Sequence, residues 1–262
     1  INNVIGRVKL ADITLDHCQK CLNSLVEEGF SDYMVKQTAI LLRFILDKAQ
    51  ANKLIKDNPA RTISAKGKKA KVSRALTEEE RTAFLKVKDN DPRYIIFDIM
   101  YNTGLRPSEA RNLKGKDILM LNDVPVLNVL GTKTASSVRK VPIPYELYQK
   151  IKNTPKNDFI CQSNNNTKFD EKSFQRAFKS LKKDMNIELG CQMYRNKLVP
   201  PYPLDENFIP YYFRHDYCTR LCYQNVSPTV IQKVLGHIDQ KMINEIYSHI
   251  SDEMVANTFQ NI

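Results

Sequence analysis

"PYYFRHDYCTRL", residues 210–221, sets an arginine and a histidine, Arg214 and His215, side by side within a run of apolar and aromatic residues. A helix through this stretch turns one face toward a core. A guanidinium carried into that core is costly unless something anionic meets it. The stretch therefore asks which anion Arg214 meets, and the remainder of the chain has to supply it.

The chain has 262 residues, long enough for two domains or one large one with a real core. Forty Lys and Arg stand against 29 Asp and Glu, a formal charge of +11 with a pI near 9.3. That excess favours a polyanionic partner such as nucleic acid. A cationic membrane-surface protein has the same sum, but no apolar run is long enough to span a bilayer. The chain begins at Ile1 without a methionine, which reads as a trimmed amino terminus. With no signal-peptide pattern, a cytoplasmic setting is expected.

Six cysteines are too few for a disulfide scaffold, and reduced helix-core thiols are expected. Cys18 and Cys21 form a C-x-x-C, yet no second pair at zinc-ligand spacing follows; Cys218 and Cys222 lie one helical turn apart in an apolar pattern.

Helices dominate the first sixty residues. Thr14 can cap "LDHCQKCLNSLVEE" (15–28), which Gly29 stops, and Ser31 can cap "DYMVKQTAILLRFILDKAQANKLI" (32–55). From Lys53 to Arg74 the charged residues are basic apart from Asp57, among Pro59, Gly67 and small polar residues. A solvated tether fits that composition. So does a segment that tracks a phosphate backbone through Lys66, Lys68, Lys69, Lys71 and Arg74. In "LTEEERTAF" (76–84), Thr77 and Glu80 have capping-box spacing. Gly104 then stops a helix and Pro107 opens the next, holding Arg106 in the join. "VPVLNVLGTK" and "SVRKVPIP" read as a hairpin with Lys133 at its tip, and helices return from Tyr145.

Five pieces recur in one order: "TGLRPSEARNL" with Arg106 and Glu109, "GTKTASSVRKVPIP" with Lys133, "YYFRHDYCTRL" with Arg214, "LGH" with His237, and "EIYSHIS" with Tyr247. Their order and spacing resemble the tyrosine recombinase family, the phage-integrase type, over essentially the whole chain, and the motif style is similar to integrases of conjugative transposons. The resemblance implies a mainly α protein. A helical core-binding, DNA-binding domain is expected over 1–62 and a basic interdomain linker over 63–75. A mixed α/β catalytic domain, mostly helical with a small antiparallel sheet, is expected over 76–262 and ends in a tail helix.

The chemistry of the residues agrees. Two guanidinium forks from separate helices can hold the two non-bridging oxygens of one phosphodiester and stay charged at any working pH. On that reading Arg214 waits for a DNA phosphate. Charge developing on a pentacoordinate phosphorus would be met by Arg106, Arg214 and His237, so no metal or other cofactor is expected, and no carboxylate cluster suited to Mg²⁺ is visible. The resemblance makes Tyr247 the nucleophile, leaving a 3′-phosphotyrosine and a 5′-hydroxyl. It also makes Lys133 the donor of a proton to the leaving 5′-oxygen, Glu109 an orienting group, and His215 the second half of the family's arginine-histidine pair. One position departs: the family usually has histidine three residues before the second arginine, and here Tyr211 stands there. A phenol can donate to a phosphate oxygen but does not exchange a proton near pH 7 as imidazole does.

Plainer readings compete. A tyrosine on an amphipathic helix is usually core or surface, Arg139 and Lys140 rival Lys133, and His237 after Gly236 fits a helix carboxyl terminus. The expected partners are duplex DNA with specific sites and further copies of the chain, dimer to tetramer. The tail "SDEMVANTFQNI" (251–262), with Met254, Val255, Thr258, Phe259 and Ile262 on one face, reads as a helix that docks on its own catalytic domain or, as the resemblance implies, packs on a neighbouring protomer. The implied activity is strand exchange that integrates and excises a mobile element. A type IB topoisomerase-like nicking and resealing enzyme and a non-catalytic DNA-binding protein of the same fold are the alternatives.

Overall fold

The computed structural model describes residues 1–69, 74–130, 138–163 and 167–236, together with 243, 244 and 246. The chain divides into two compact units, Ile1–Val72 and Ser73–Ile262.

In the first unit, α1 (Asn2–Ile5) precedes α2 (Leu15–Glu27) and α3 (Asp32–Ala51). The expected caps form: Thr14 Oγ1 accepts from the His17 N–H while His17 Nδ1 accepts from the Thr14 N–H, and Ser31 Oγ accepts from the Met34 N–H. The apolar stripe of α3 (Val35, Ala39, Leu42, Leu46) packs on Cys18, Cys21 and Leu22 of α2. α3 ends at Ala51, not at Ile55. Lys53 takes the left-handed conformation (φ +59°), with Lys53 N–H donating to the Gln50 carbonyl and Leu54 N–H to that of Ala49. This is a Schellman ending formed without glycine.

The stretch from 63, expected as linker, packs on this unit through Lys68. Ile63 is buried in its core, and the Arg43 guanidinium donates to the Ala60 and Ile63 carbonyls. Lys68 pairs with Ser31 in a parallel bridge, its carbonyl accepting from Asp32 N–H at 2.8 Å. Gly67 is required there, because a Cβ would stand 2.7 Å from the Asp32 nitrogen.

In the second unit, α4 (Glu78–Val87), α5 (Ile95–Thr103) and α6 (Pro107–Asn112) lead to a sheet of β1 (Ile118–Leu121), β2 (Val124–Val129) and β3 (Arg139–Pro142). The order is β1-β2-β3, antiparallel throughout, with Val129 opposite Arg139. Then follow α7 (Tyr145–Ile151), α8 (Glu171–Glu188), a hairpin of β4 (Met193–Tyr194) and β5 (Lys197–Leu198), α9 (Tyr211–Tyr223) and α10 (Pro228–Leu235). A predominantly helical fold with a small antiparallel sheet is therefore present as expected. The sequence reading missed β1 and the β4–β5 hairpin. Both turns use two consecutive left-handed residues, Asn122–Asp123 and Arg195–Asn196, the backbone that matches strand twist.

Phe84, Phe97, Phe174, Phe178, Phe208 and Phe213 form the centre of the core, joining α4, α5, α8 and α9. A second apolar cluster gathers Tyr217, Cys218 and Cys222 of α9, Ile231 and Leu235 of α10, and Ile243 and Ile246. All six cysteines are buried free thiols, with Cys161 and Cys191 lying outside the helices. Among the described residues no helix is long and apolar enough to cross a membrane.

Gly104 ends α5 at φ +64°, and a Cβ there would stand 2.5 Å from Leu235 Cδ2 and 2.7 Å from Tyr217 Cδ1. Gly104→Ala combines left-handed strain with this clash and is expected to lower unfolding stability by at least ~2 kcal/mol. Urea denaturation of the variant checks it.

Candidate active site

The carboxyl end of a helix leaves its last carbonyls without intrahelical partners. In α10, which Gly236 ends at φ +65°, three successive carbonyls of this kind each accept from a different arginine. Arg139 Nε donates to Val234 at 2.7 Å, Arg214 Nη2 to Leu235 at 2.9 Å, and Arg106 Nη2 to Gly236 over a long 3.4 Å. The negative end of the helix dipole favours cations there. Three residues distant in sequence, from the α5–α6 join, the start of β3 and the second turn of α9, thus converge on one turn.

Arg214 is 0% exposed. Nη1 donates to the Gly104 carbonyl at 2.7 Å, so the left-handed glycine that ends α5 also anchors the arginine. Among the described residues no carboxylate pairs with Arg214, and its Nε has no partner. Burial first, and then the charge of Arg106, push the guanidinium down to about 10, still a cation at neutral pH. A buried cation held only by carbonyls retains a desolvation cost of several kcal/mol. An entering anion would offset it.

Arg106 sits at the amino end of α6, side chain 35% exposed, and Pro107 follows as the first helical residue. Glu109, one turn on, accepts from the Arg106 N–H at 2.9 Å and from Nη1 at 3.2 Å. Its two oxygens also receive both arms of Arg139, at 3.1 and 2.9 Å. Burial opposes the charge of Glu109, but the hydrogen bonds from Arg139 and the Arg106 backbone outweigh it and hold the carboxyl below its ordinary value. Three guanidiniums gather around one carboxylate, which bonds Arg106 and Arg139 but not Arg214, and two positive charges are left in excess.

Tyr211 opens α9 one turn before Arg214 and is 37% exposed; His215 is half-buried. Asp216, missed in the sequence, is wholly buried and accepts from Arg81 of α4 and Arg220 of α9, both at 2.9 Å. The burial argument applied to Arg214 would have found it, since a carboxylate in the same apolar run also needs partners. Arg139, considered as a rival to Lys133, is buried against Glu109, whereas Lys140 faces solvent. Lys133, His237, Tyr247 and Lys71 lie outside the described residues, as does the 251–262 tail.

Of the basic residues expected along DNA, Lys66, Lys68 and Lys69 are exposed. Arg74 is committed elsewhere. It donates both arms to Glu80 at 2.7 Å, reaches Asp205 at 3.1 Å and stacks over Tyr212 at 4.8 Å. Its Glu80 partner is the capping-box carboxylate of α4.

Glu109 yields a pH expectation. Its carboxyl is lowered by folding, so its contribution is present above the unfolded value and lost as pH falls through the folded one. Glu109→Gln leaves the buried Arg139 without a counter-charge and is expected to cost on the order of 3 kcal/mol at neutral pH. The difference in melting temperature from the parent chain should narrow on acidification below the ordinary 4.5. Thermal melts across pH check this.

Comparison with known proteins matches residues 68–254 to the phage integrase family. Tyrosine recombinase XerC of Staphylococcus aureus (strain JH9) is 26% identical over 190 residues, covering 70% of this chain and 59% of the relative. The chain thus spans about 59% of the length of the curated relatives it matches. The Tn1549 transposon integrase in complex with transposon right end DNA superposes with a TM-score of 0.71 at 22% identity, covering 98% of this chain and 88% of that one. A lambda integrase dimer bound to a COC′ core site gives 0.66 at 20% identity, covering 94% and 83%. These two likenesses show the fold. Together with the motif order from Arg106 through Arg214, the match over residues 68–254 establishes that this chain belongs to the phage integrase family.

Proposed function

We propose that the protein is a site-specific tyrosine recombinase that cuts and rejoins DNA strands during integration and excision of a mobile element. The observation that carries this is Arg214, a buried cation beside Arg106 whose Nε has no partner among the described residues, in a site with excess positive charge. Such a pair suits the non-bridging oxygens of a phosphodiester. The Tyr247 oxygen attacks phosphorus in line, the bond to the 5′-oxygen breaks, and the enzyme is joined to the 3′-phosphate. Lys133 gives its proton to the leaving 5′-oxygen, and Arg106, Arg214 and His237 stabilise the charge that develops. Tyr211 donates to the phosphate where relatives carry histidine. Attack of a partner strand's 5′-hydroxyl on the phosphotyrosine reseals the backbone and releases Tyr247. The partners are duplex DNA with specific sites and further copies of the chain, dimer to tetramer, joined through the tail helix, in the bacterial cytoplasm. The +11 charge and the exposed Lys66, Lys68 and Lys69 support a long polyanion as substrate.

Incubation with nicked DNA carrying candidate element ends, followed by denaturing electrophoresis, tests the reading through a protein–DNA adduct. Tyr247→Phe should bind DNA as the parent does and give no adduct; an adduct from this variant removes Tyr247 from the role. Arg106→Ala and Arg214→Ala should each slow adduct formation on the order of a hundredfold with little change in DNA affinity. Normal cleavage combined with weak binding would make them backbone contacts instead.

A further inference from the structure

Arg139 is the first residue of β3, and every nitrogen of its guanidinium is engaged. Nε holds the Val234 carbonyl, while Nη1 and Nη2 close on the two oxygens of Glu109. Its side chain is 5% exposed, and a Cβ on Gly236 would stand 3.0 Å from its Cζ. The fork is thus turned inward onto protein, away from any substrate.

The groups it holds are those that hold the substrate-facing arginines. Glu109, gripped on both oxygens, uses the same oxygens to accept from the Arg106 N–H and Nη1. Val234 is followed by Leu235 and Gly236, whose carbonyls take Arg214 and Arg106. With Arg139 absent, Glu109 would lose two charge-assisted hydrogen bonds and could swing wholly onto Arg106, pulling its guanidinium from the phosphate position. The carboxyl end of α10 would lose its tie to β3 in the same event.

We infer that Arg139 is a positioning residue for strand cleavage, setting Arg106 through Glu109 and the carboxyl end of α10 through the Val234 carbonyl. The inference rests on the strand-cleavage reading above. A displacement of about 1 Å at a group that stabilises the transition state costs up to about a hundredfold in rate.

The test measures adduct formation on nicked DNA at saturating and subsaturating concentrations. Arg139→Gln should slow the saturated rate by about tenfold or more and leave the half-saturating DNA concentration within about twofold. Arg139→Lys, which keeps the charge but not the fork, should recover part of the rate. In the Arg106→Ala background, Arg139→Gln should cost severalfold less rate than it does in the parent, because the route through Arg106 is already gone and only the tie to α10 remains. A full, independent loss in that background, or a normal rate for Arg139→Gln alone, overturns the inference. Should Arg139→Gln fail to fold because the buried Glu109 loses two of its charge-assisted hydrogen bonds, Glu109→Gln/Arg139→Gln removes both charges. Slow cleavage with normal DNA affinity then supports the inference, and normal cleavage overturns it. A parent chain that gives no adduct on any element-end DNA fails the cleavage reading itself, an outcome distinct from all of these.

Discussion

Like charges do not gather in a protein interior without an opposing field, and here that field comes mainly from backbone. The last turn of α10 offers the Val234, Leu235 and Gly236 carbonyls to Arg139, Arg214 and Arg106, and Glu109 supplies the single carboxylate among them. Gly104 ends α5 where its carbonyl can meet Arg214, and Pro107 fixes Arg106 at the start of α6. The aromatic core of α4, α5, α8 and α9 provides the rigid frame that holds these ends together.

The other buried or half-buried arginines of the second unit show how different Arg214 is. Arg74 has Glu80 and Asp205, Arg81 and Arg220 share Asp216, and Arg111 has Glu171. Each has a carboxylate partner that ties one element to another or closes within one, although Arg81 Nε, like that of Arg214, is buried without a hydrogen-bond partner among the described residues. Among the described residues Arg214 has only carbonyls for partners. Unbalanced charge among the described residues is thus concentrated around Arg214, as expected where a protein gives up stability for function.

Local signals were legible in the sequence because local physics sets them. Thr14, Ser31 and Thr77 cap the helices they should, and the Gly104–Pro107 join places Arg106 where its spacing requires. What stayed hidden depends on distant partners or on unusual backbone. β1 is apolar at all four positions and so shows no alternation, although three of the four are exposed. Lys53 ends α3 in a conformation usually given to glycine. Lys68 turns a basic stretch of linker composition into a strand partner of Ser31. Arg139, 30 residues from Glu109, looks in sequence like a solvated charge on a hairpin; only the pairing of β3 with β2 and the approach of α6 bury it.

Backbone acceptors carry a consequence for how such a site can vary. A carbonyl belongs to every residue type, so replacing the side chain of Val234 or Leu235 alters packing while leaving the electrostatic cradle in place. The charged geometry is thereby insulated from most single-residue changes in α10 and exposed instead to changes in where the helix stops. Shifting that stop by one residue would rotate each carbonyl by about 100° and hand every arginine the wrong partner. Substrate-facing surfaces around the site can therefore diversify freely, while the length and phase of one short helix cannot.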